Sequence, residues 1–294
     1  MSNMRELLPR AGRRERLLNA KRGFTRSAHV LARWQSTQDR PLPNIVILGT
    51  QRGGTTSLFA DLALHPQVIP PIGKELDFFT LSYGRGERWY RGHFPHLEPG
   101  QQTLDATPYY MFHPGVPARA SAMLPYAKFV VLLRDPVKRA YSHYQHNRAL
   151  DIEPLSFEEA LDAEDMRLAR AVSLGLDSPE GERLHRNFSY VSRGLYAPQL
   201  ERWLAVVPKA RLQVLKSEDF YREPHRVYGQ LLHYLGLAPF VPDGFAKTNV
   251  RGSSRESIRT APTATFAELR QRFVSDTERV CDLLGWASAW HSDS

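Results

Sequence analysis

Ile45-Val-Ile-Leu-Gly-Thr-Gln-Arg-Gly-Gly-Thr-Thr-Ser-Leu58 is the stretch that decides the fold. Four apolar residues in succession, Ile45 to Leu48, read as a buried strand. Gly49, Gly53 and Gly54 then permit positive φ and close backbone approach. Thr55, Thr56 and Ser57 fall where a helix begins, so hydroxyls, backbone N–H groups and the positive end of the helix dipole converge on one anion. Arg52 adds a fixed charge at the mouth of this cradle. A glycine-rich turn after a strand can also be a plain βα connection, but here it ends in Thr-Thr-Ser rather than in apolar helix residues. It lacks the Gly-Lys-Ser/Thr ending that nucleotide triphosphatases use for phosphate and Mg²⁺, and it lacks the spacing of a dinucleotide fingerprint. The loop reads as a phosphate site without an obligatory metal.

A chain of 294 residues with 42% hydrophobic content can bury one sizeable core. The expected fold class is therefore a single α/β domain over residues 41–294, a central parallel sheet flanked by helices. The net charge of +8 predicts an anionic partner, with nucleic acid, membrane and anionic cofactor all open at this point. One cysteine, Cys281, excludes an intrachain disulfide and a Cys-rich metal site, and nothing demands an oxidising compartment, so a cytoplasmic protein is expected. Residues 1–40 form a basic arm carrying Arg5, Arg10, Arg13, Arg14, Arg16, Lys21, Arg22, Arg26 and Arg33. The arm has no apolar stretch of the secretory-signal or membrane-spanning kind. It reads either as a solvated arm packed on the domain or as a helix lying on an anionic membrane through Leu7, Leu8, Leu17 and Leu18.

Beyond the cradle, Lys74-Glu-Leu-Asp-Phe-Phe79 is a short loop in which Phe78 and Phe79 anchor the chain and Glu75 projects toward whatever the cradle holds. Glu75 is a candidate general base, and a surface salt bridge with Lys74 is the alternative. Residues 83–100 suit an irregular, acceptor-facing loop. Leu104 to Phe112 is expected to form a short strand and turn, with Asp105 and Thr107 at the strand end, where ligand contact and turn capping are both open.

Phe129 to Leu133 is a fully apolar run typical of a central parallel strand, and Asp135-Pro136 starts a helix with Pro at its first position. Arg134 sits at the strand's C-terminal end and Ser142 lies two turns into the helix. A guanidinium fork and a hydroxyl can meet over one phosphate. Helices are expected over 151–190, with most of their charges on solvated faces and His185, Arg186 and Asn187 available to line an acceptor cleft. A strand over Arg211–Lys216, a turn over Ser217–Tyr221, a helix from Pro224 to Leu235 and a last helix from Phe266 to Leu284 complete the reading.

The ILGTQRGGTTSL and LLRDPVKRAYSHY motifs resemble the 5′-phosphosulfate loop and the 3′-phosphate motif of sulfotransferases that use 3′-phosphoadenosine 5′-phosphosulfate (PAPS). IGKELDFF and DATPYY are similar to the heparan-sulfate type and its bacterial relatives. The resemblance runs from about Pro43 to the C-terminus. It implies that Gln51, Arg52, Gly53, Gly54, Thr55, Thr56 and Ser57 hold the 5′-phosphosulfate, that Arg134 and Ser142 hold the 3′-phosphate, and that Glu75 takes the acceptor's proton. It places Tyr196 near the nucleotide, and Arg251, Gly252, Ser253 and Ser254 in a late loop over the 3′-phosphate and adenine. Arg52 stands where the family commonly has Lys, and Arg stabilises charge but does not readily give up a proton. Ala106 stands where animal heparan-sulfate enzymes often have Lys, which points to a less charged acceptor. The implied activity is sulfuryl transfer from PAPS, leaving PAP, to a hydroxyl or amine of a carbohydrate, lipid or natural product. A small-molecule or glycan acceptor, rather than nucleic acid, is the expected partner. An ATP-dependent small-molecule kinase and a non-catalytic anion- or membrane-binding protein are the alternatives.

Overall fold

Every apolar run read above as a strand is one, and all four pair in parallel. The structure, a computed structural model, describes residues 7–9, 39–246 and 263–290. The strands are β1 (Ile45–Gly49), β2 (Leu104–Ala106), β3 (Lys128–Leu133) and β4 (Leu212–Lys216), in the order β2-β1-β3-β4. β1 is buried at every position and β3 at all but its first, which is why both read as continuous apolar runs rather than as alternation. The helices are α1 (Thr55–Ala63), α2 (Gly86–Arg91), α3 (Val116–Met123), α4 (Pro136–Ala149), α5 (Phe157–Asp162), α6 (Glu164–Leu174), α7 (Pro179–Asn187), α8 (Ala197–Leu204), α9 (Ser217–Arg222), α10 (Pro224–Leu235) and α11 (Thr263–Leu284). The fold class is the expected α/β one, a parallel sheet flanked by helices.

The chain divides into two compact units. Residues 23–134 and 199–248 form the unit that holds the sheet. In its core Ile45, Ile47, Val130 and Leu132 pack with Leu58 and Leu62 of α1 and with Val227, Leu231, Leu232 and Leu235 of α10. The leucine stripe of α10 is thus its buried face, and Gly236, at φ 73°, ends the helix in the left-handed conformation that favours glycine. The other unit comprises residues 1–22, 135–198 and 249–294. Its core joins Val137 and Ala140 of α4 to Phe157, Leu161, Leu184, Phe188, Leu269 and Phe273.

The sheet order positions the site. From β1 the chain passes to β2 on one side, then returns to β3 on the other, so the order reverses at β1. Open parallel sheets bind ligands outside the carboxyl ends of the strands at such a reversal. Here those ends carry the Gly49–Gly54 loop and Arg134.

Two expectations need correcting. Residues 83–100 are not an irregular loop. A 3₁₀ turn (Tyr83–Arg85) leads into α2, which buries Trp89 and Tyr90, and Phe94 is buried beyond it. Phe78 stacks on Tyr90 at 4.1 Å, so the aromatics form a local core among the glycines and arginines that make the stretch look exposed. Ser217–Tyr221 is helical rather than a turn, as part of α9. Most of the charges over 151–190 are exposed as expected, among them Glu158, Asp162, Asp165 and Arg170, but a minority form a buried set. Glu153, Glu164, Arg167, Glu182 and Arg183 are buried. Arg167 grips Glu153 with two bonds (2.6 and 3.0 Å), and the Glu164 carboxylate accepts the N–H groups of Tyr190, Val191 and Ser192. Buried charges persist when each is paired and hydrogen-bonded, and helical spacing alone cannot reveal such partners.

Of the basic arm, residues 7–9, 39 and 40 lie among the described residues. The Leu7 carbonyl accepts from Arg167 Nε (2.7 Å) and the Pro9 carbonyl accepts from Arg183, which is the packed form of the arm for that short piece.

Candidate active site

The loop after β1 is built by close packing rather than by flexibility. Thr50 donates to the Leu132 carbonyl through both its N–H and its Oγ1 (2.9 Å each), and Gly53 N–H closes a turn onto Thr50 O (3.0 Å). A Cβ on Gly53 would lie 2.7 Å from Leu132 O, and one on Gly54, at φ 99°, would lie 2.7 Å from the Tyr221 hydroxyl. Both positions therefore require glycine. Ser217 Oγ donates to Gly53 O, and Tyr221 OH donates to Ser57 Oγ (3.3 Å). α9 thus clamps the loop from the other side.

No side chain caps the N-terminus of α1, and its first turn holds no acidic residue. An uncapped helix start flanked by Thr55, Thr56 and Ser57 has the donor chemistry that suits an anion. Arg52 turns back at φ 67°, and its carbonyl accepts from Arg134 Nη1 (3.1 Å). Burial, and then the nearby Arg134 charge, hold the Arg52 guanidinium below its ordinary value, while Tyr221 acts in the opposite sense. A partly desolvated Arg52 guanidinium beside a second arginine fits a multiply charged phosphate, which would offset both the burial and the neighbouring positive charge.

Glu75 reaches this cradle through its neighbour. Lys74 Nζ donates to Thr56 Oγ1 (3.0 Å) and lies 3.4 Å from Glu75 Oε1, with the two side chains 18% and 31% exposed. They are reachable by a substrate yet partly withdrawn from water. Glu75 has φ 60°, and its N–H donates to the Ala106 carbonyl at the end of β2 (3.0 Å). Among the described residues, non-glycine positive φ occurs at Arg52, Glu75, Asp77 and Asp151. Such conformations cluster at functional sites, where the surroundings over-determine them.

Asp105 supports this loop from beneath. Its carboxylate accepts from Tyr90 OH (2.8 Å), Tyr110 OH (3.0 Å) and Thr107 Oγ1 (3.3 Å), and Tyr110 OH also accepts from Phe78 N (2.8 Å). Burial raises its pKa to about 6 against the lowering effect of the tyrosine hydroxyls. Asp105 and Thr107 are therefore neither turn caps nor exposed ligand contacts but a buried hydroxyl network that fixes the 75–79 loop.

The sheet-bearing unit contains Gln51 to Ser57, Glu75 and Arg134 from the expected set. Ser142 and Tyr196 belong to the other unit. Ser142 is buried on α4. Tyr196 is fully buried, its N–H donating to Asp276 Oδ2 (2.7 Å) and its ring 5.8 Å from Trp290. Arg251, Gly252, Ser253 and Ser254 lie outside the described residues. Lys74, Tyr221 and Ser217 are additions that sequence reasoning missed. Lys74 read as a salt-bridge partner because its contact with Thr56 spans 18 residues, while the sole local signal for Ser217 was its place at a strand's carboxyl end.

Residues 42–282 match the model of the family described as "Sulfotransferase domain". Over 204 residues, 69% of this chain, the sequence is 32% identical to human heparan sulfate glucosamine 3-O-sulfotransferase 3B1, covering 48% of that protein. Over 215 residues, 70% of this chain, it is 31% identical to human bifunctional heparan sulfate N-deacetylase/N-sulfotransferase 3, covering 23% of it. The chain thus spans about half or less of the length of these relatives. Among solved structures, a sulfotransferase from Alicyclobacillus acidocaldarius aligns over 83% of this chain and 96% of its own, with 29% identity and a TM-score of 0.62. A family match over most of the chain, on a parallel sheet whose switch point carries an uncapped anion cradle and two arginines, leads to one conclusion: this chain belongs to the sulfotransferase family.

Proposed function

We propose that this chain transfers a sulfuryl group from PAPS to a hydroxyl or amine of a carbohydrate, lipid or natural-product acceptor. The observation that carries the reading is Lys74, whose ammonium touches both Thr56 of the cradle and Glu75, and so places a carboxylate beside the anion site. In this reading the Gln51–Ser57 loop and the start of α1 hold the 5′-phosphosulfate, and Arg52 stabilises charge on the oxygen that leaves sulfur. Arg134 takes the 3′-phosphate, and the family resemblance assigns Ser142 to the same group. Glu75 removes the acceptor's proton as its oxygen approaches sulfur. A glycan acceptor is supported by the heparan-sulfate names of the relatives, and Ala106 at the end of β2 argues for one of lower charge.

The test has two parts. PAP and PAPS are expected to raise the melting temperature and ATP to leave it unchanged. Labelled PAPS offered with a panel of neutral and acidic oligosaccharides, phenols and lipids is expected to yield a sulfated product identifiable by mass spectrometry. Equal stabilisation by ATP, or no transfer to any acceptor class, overturns the reading.

A further inference from the structure

Arg52 leaves a gap in the chemistry, because a guanidinium does not give up its proton to a leaving group under ordinary conditions. An ammonium can, because lysine gives up its proton far more readily than arginine does. Lys74 is such a group. Its Nζ sits 3.0 Å from Thr56 Oγ1, at the start of α1 where the cradle would hold the phosphosulfate, and 3.4 Å from Glu75 Oε1. The loop carrying both residues is fixed at two points, by Glu75 N–H on Ala106 O and by Phe78 N–H on Tyr110 OH. The ammonium is therefore held between the cradle and the carboxylate.

We propose that Lys74 is the general acid of the transfer, supplying from a neighbouring loop the proton that the cradle's Arg52 withholds. The proposal rests on the sulfuryl-transfer reading above. As the acceptor oxygen bonds to sulfur, the bond from sulfur to the bridging phosphate oxygen breaks and its electron pair stays on that oxygen. Lys74 Nζ gives that oxygen a proton, and the acceptor's own proton passes to Glu75. The proton on Glu75 then crosses the 3.4 Å contact to Lys74, so both side chains end as they began and the products are the sulfate ester and PAP. Arg52 holds charge throughout without exchanging a proton.

The experiment compares wild-type protein with Lys74→Met and Lys74→Arg, measuring kcat, KM for PAPS, and the ³¹P resonances of bound PAP. Both variants are expected to lose about 10²-fold or more in kcat, because Lys74→Arg restores charge but not a transferable proton. In Lys74→Met the 5′-phosphate resonance of bound PAP is expected to move while the 3′-phosphate resonance stays in place. Wild-type kcat in either variant overturns the proposal, as does a 5′-phosphate resonance unchanged by Lys74→Met. If Lys74→Met loses PAP binding altogether, Lys74→Arg decides: recovery of kcat makes Lys74 an anchoring charge and refutes the acid role. A wild-type protein that neither binds PAP nor transfers sulfuryl defeats the parent reading instead, so the two failures are distinct.

Discussion

Glu75 and Arg52 share an unusual backbone state, with φ of 60° and 67° in side chains that normally avoid it. Each such residue costs roughly 1–3 kcal/mol unless its surroundings impose it. Here they do: Ala106 O holds the Glu75 N–H, and Arg134 holds the Arg52 carbonyl. The consequence is that the Glu75 carboxylate is aimed rather than free to search. Glu75→Gln, nearly identical in shape, is expected to cost about 10²-fold or more in kcat with PAP affinity retained. Turnover at the wild-type level would move the base elsewhere. The cradle residues were legible at this scale because strand, glycines and hydroxyls are contiguous. Lys74 was not, since a neighbouring Glu is all that the local sequence offers to explain it.

At the scale of elements, the helical unit is held by charges that sequence patterning assigns to solvent. Arg167 of α6 makes a two-bond pair with Glu153, both fully buried, and Tyr190 OH donates to the same carboxylate (2.9 Å). Removing one partner of such a pair leaves an uncompensated charge, so Glu153→Gln is expected to cost about 3–5 kcal/mol in urea denaturation. Replacing Glu153 and Arg167 together by Met is expected to cost far less, because no charge is then stranded. Equal losses in the two proteins would mean that packing, not pairing, sets the cost. Helix α8 shows the same logic on a smaller scale, for the Asp276 carboxylate of α11 accepts the N–H groups of Tyr196 and Ala197 at its start. That cap is contributed from about 80 residues away in sequence, so no local cue announces it.

For the whole molecule, Asp105 gives a pH dependence with a definite sign. Its ordinary value is 3.8 and burial lifts it to about 6 in the fold. Between those values the folded chain keeps a proton that the unfolded chain has released. Its stabilising contribution is therefore full below about pH 4 and is lost as pH rises through 6, on the order of 3 kcal/mol across the window. The difference in urea midpoint between wild type and Asp105→Asn is expected to change between pH 4 and 6.5 and to be flat above it. Parallel midpoints throughout would show that Asp105 does not titrate in that range.

The sequence by itself determined the four parallel strands and the cradle after the first of them, because each is written in contiguous residues whose burial or turn chemistry is local. Strand order was not written there, yet it is what turns one cradle into a site: reversal at β1 sets Arg134 at the end of β3 against the Arg52 carbonyl, and β2 carries the carbonyl that orients Glu75. Tertiary structure alone decided which charges are buried, since the buried carboxylates of Glu153 and Asp276 are stable through partners 14 and 80 residues away along the chain. It decided the role open to Lys74 in the same way. The opening stretch names a candidate phosphate cradle; the fold supplies the ammonium and the carboxylate beside it.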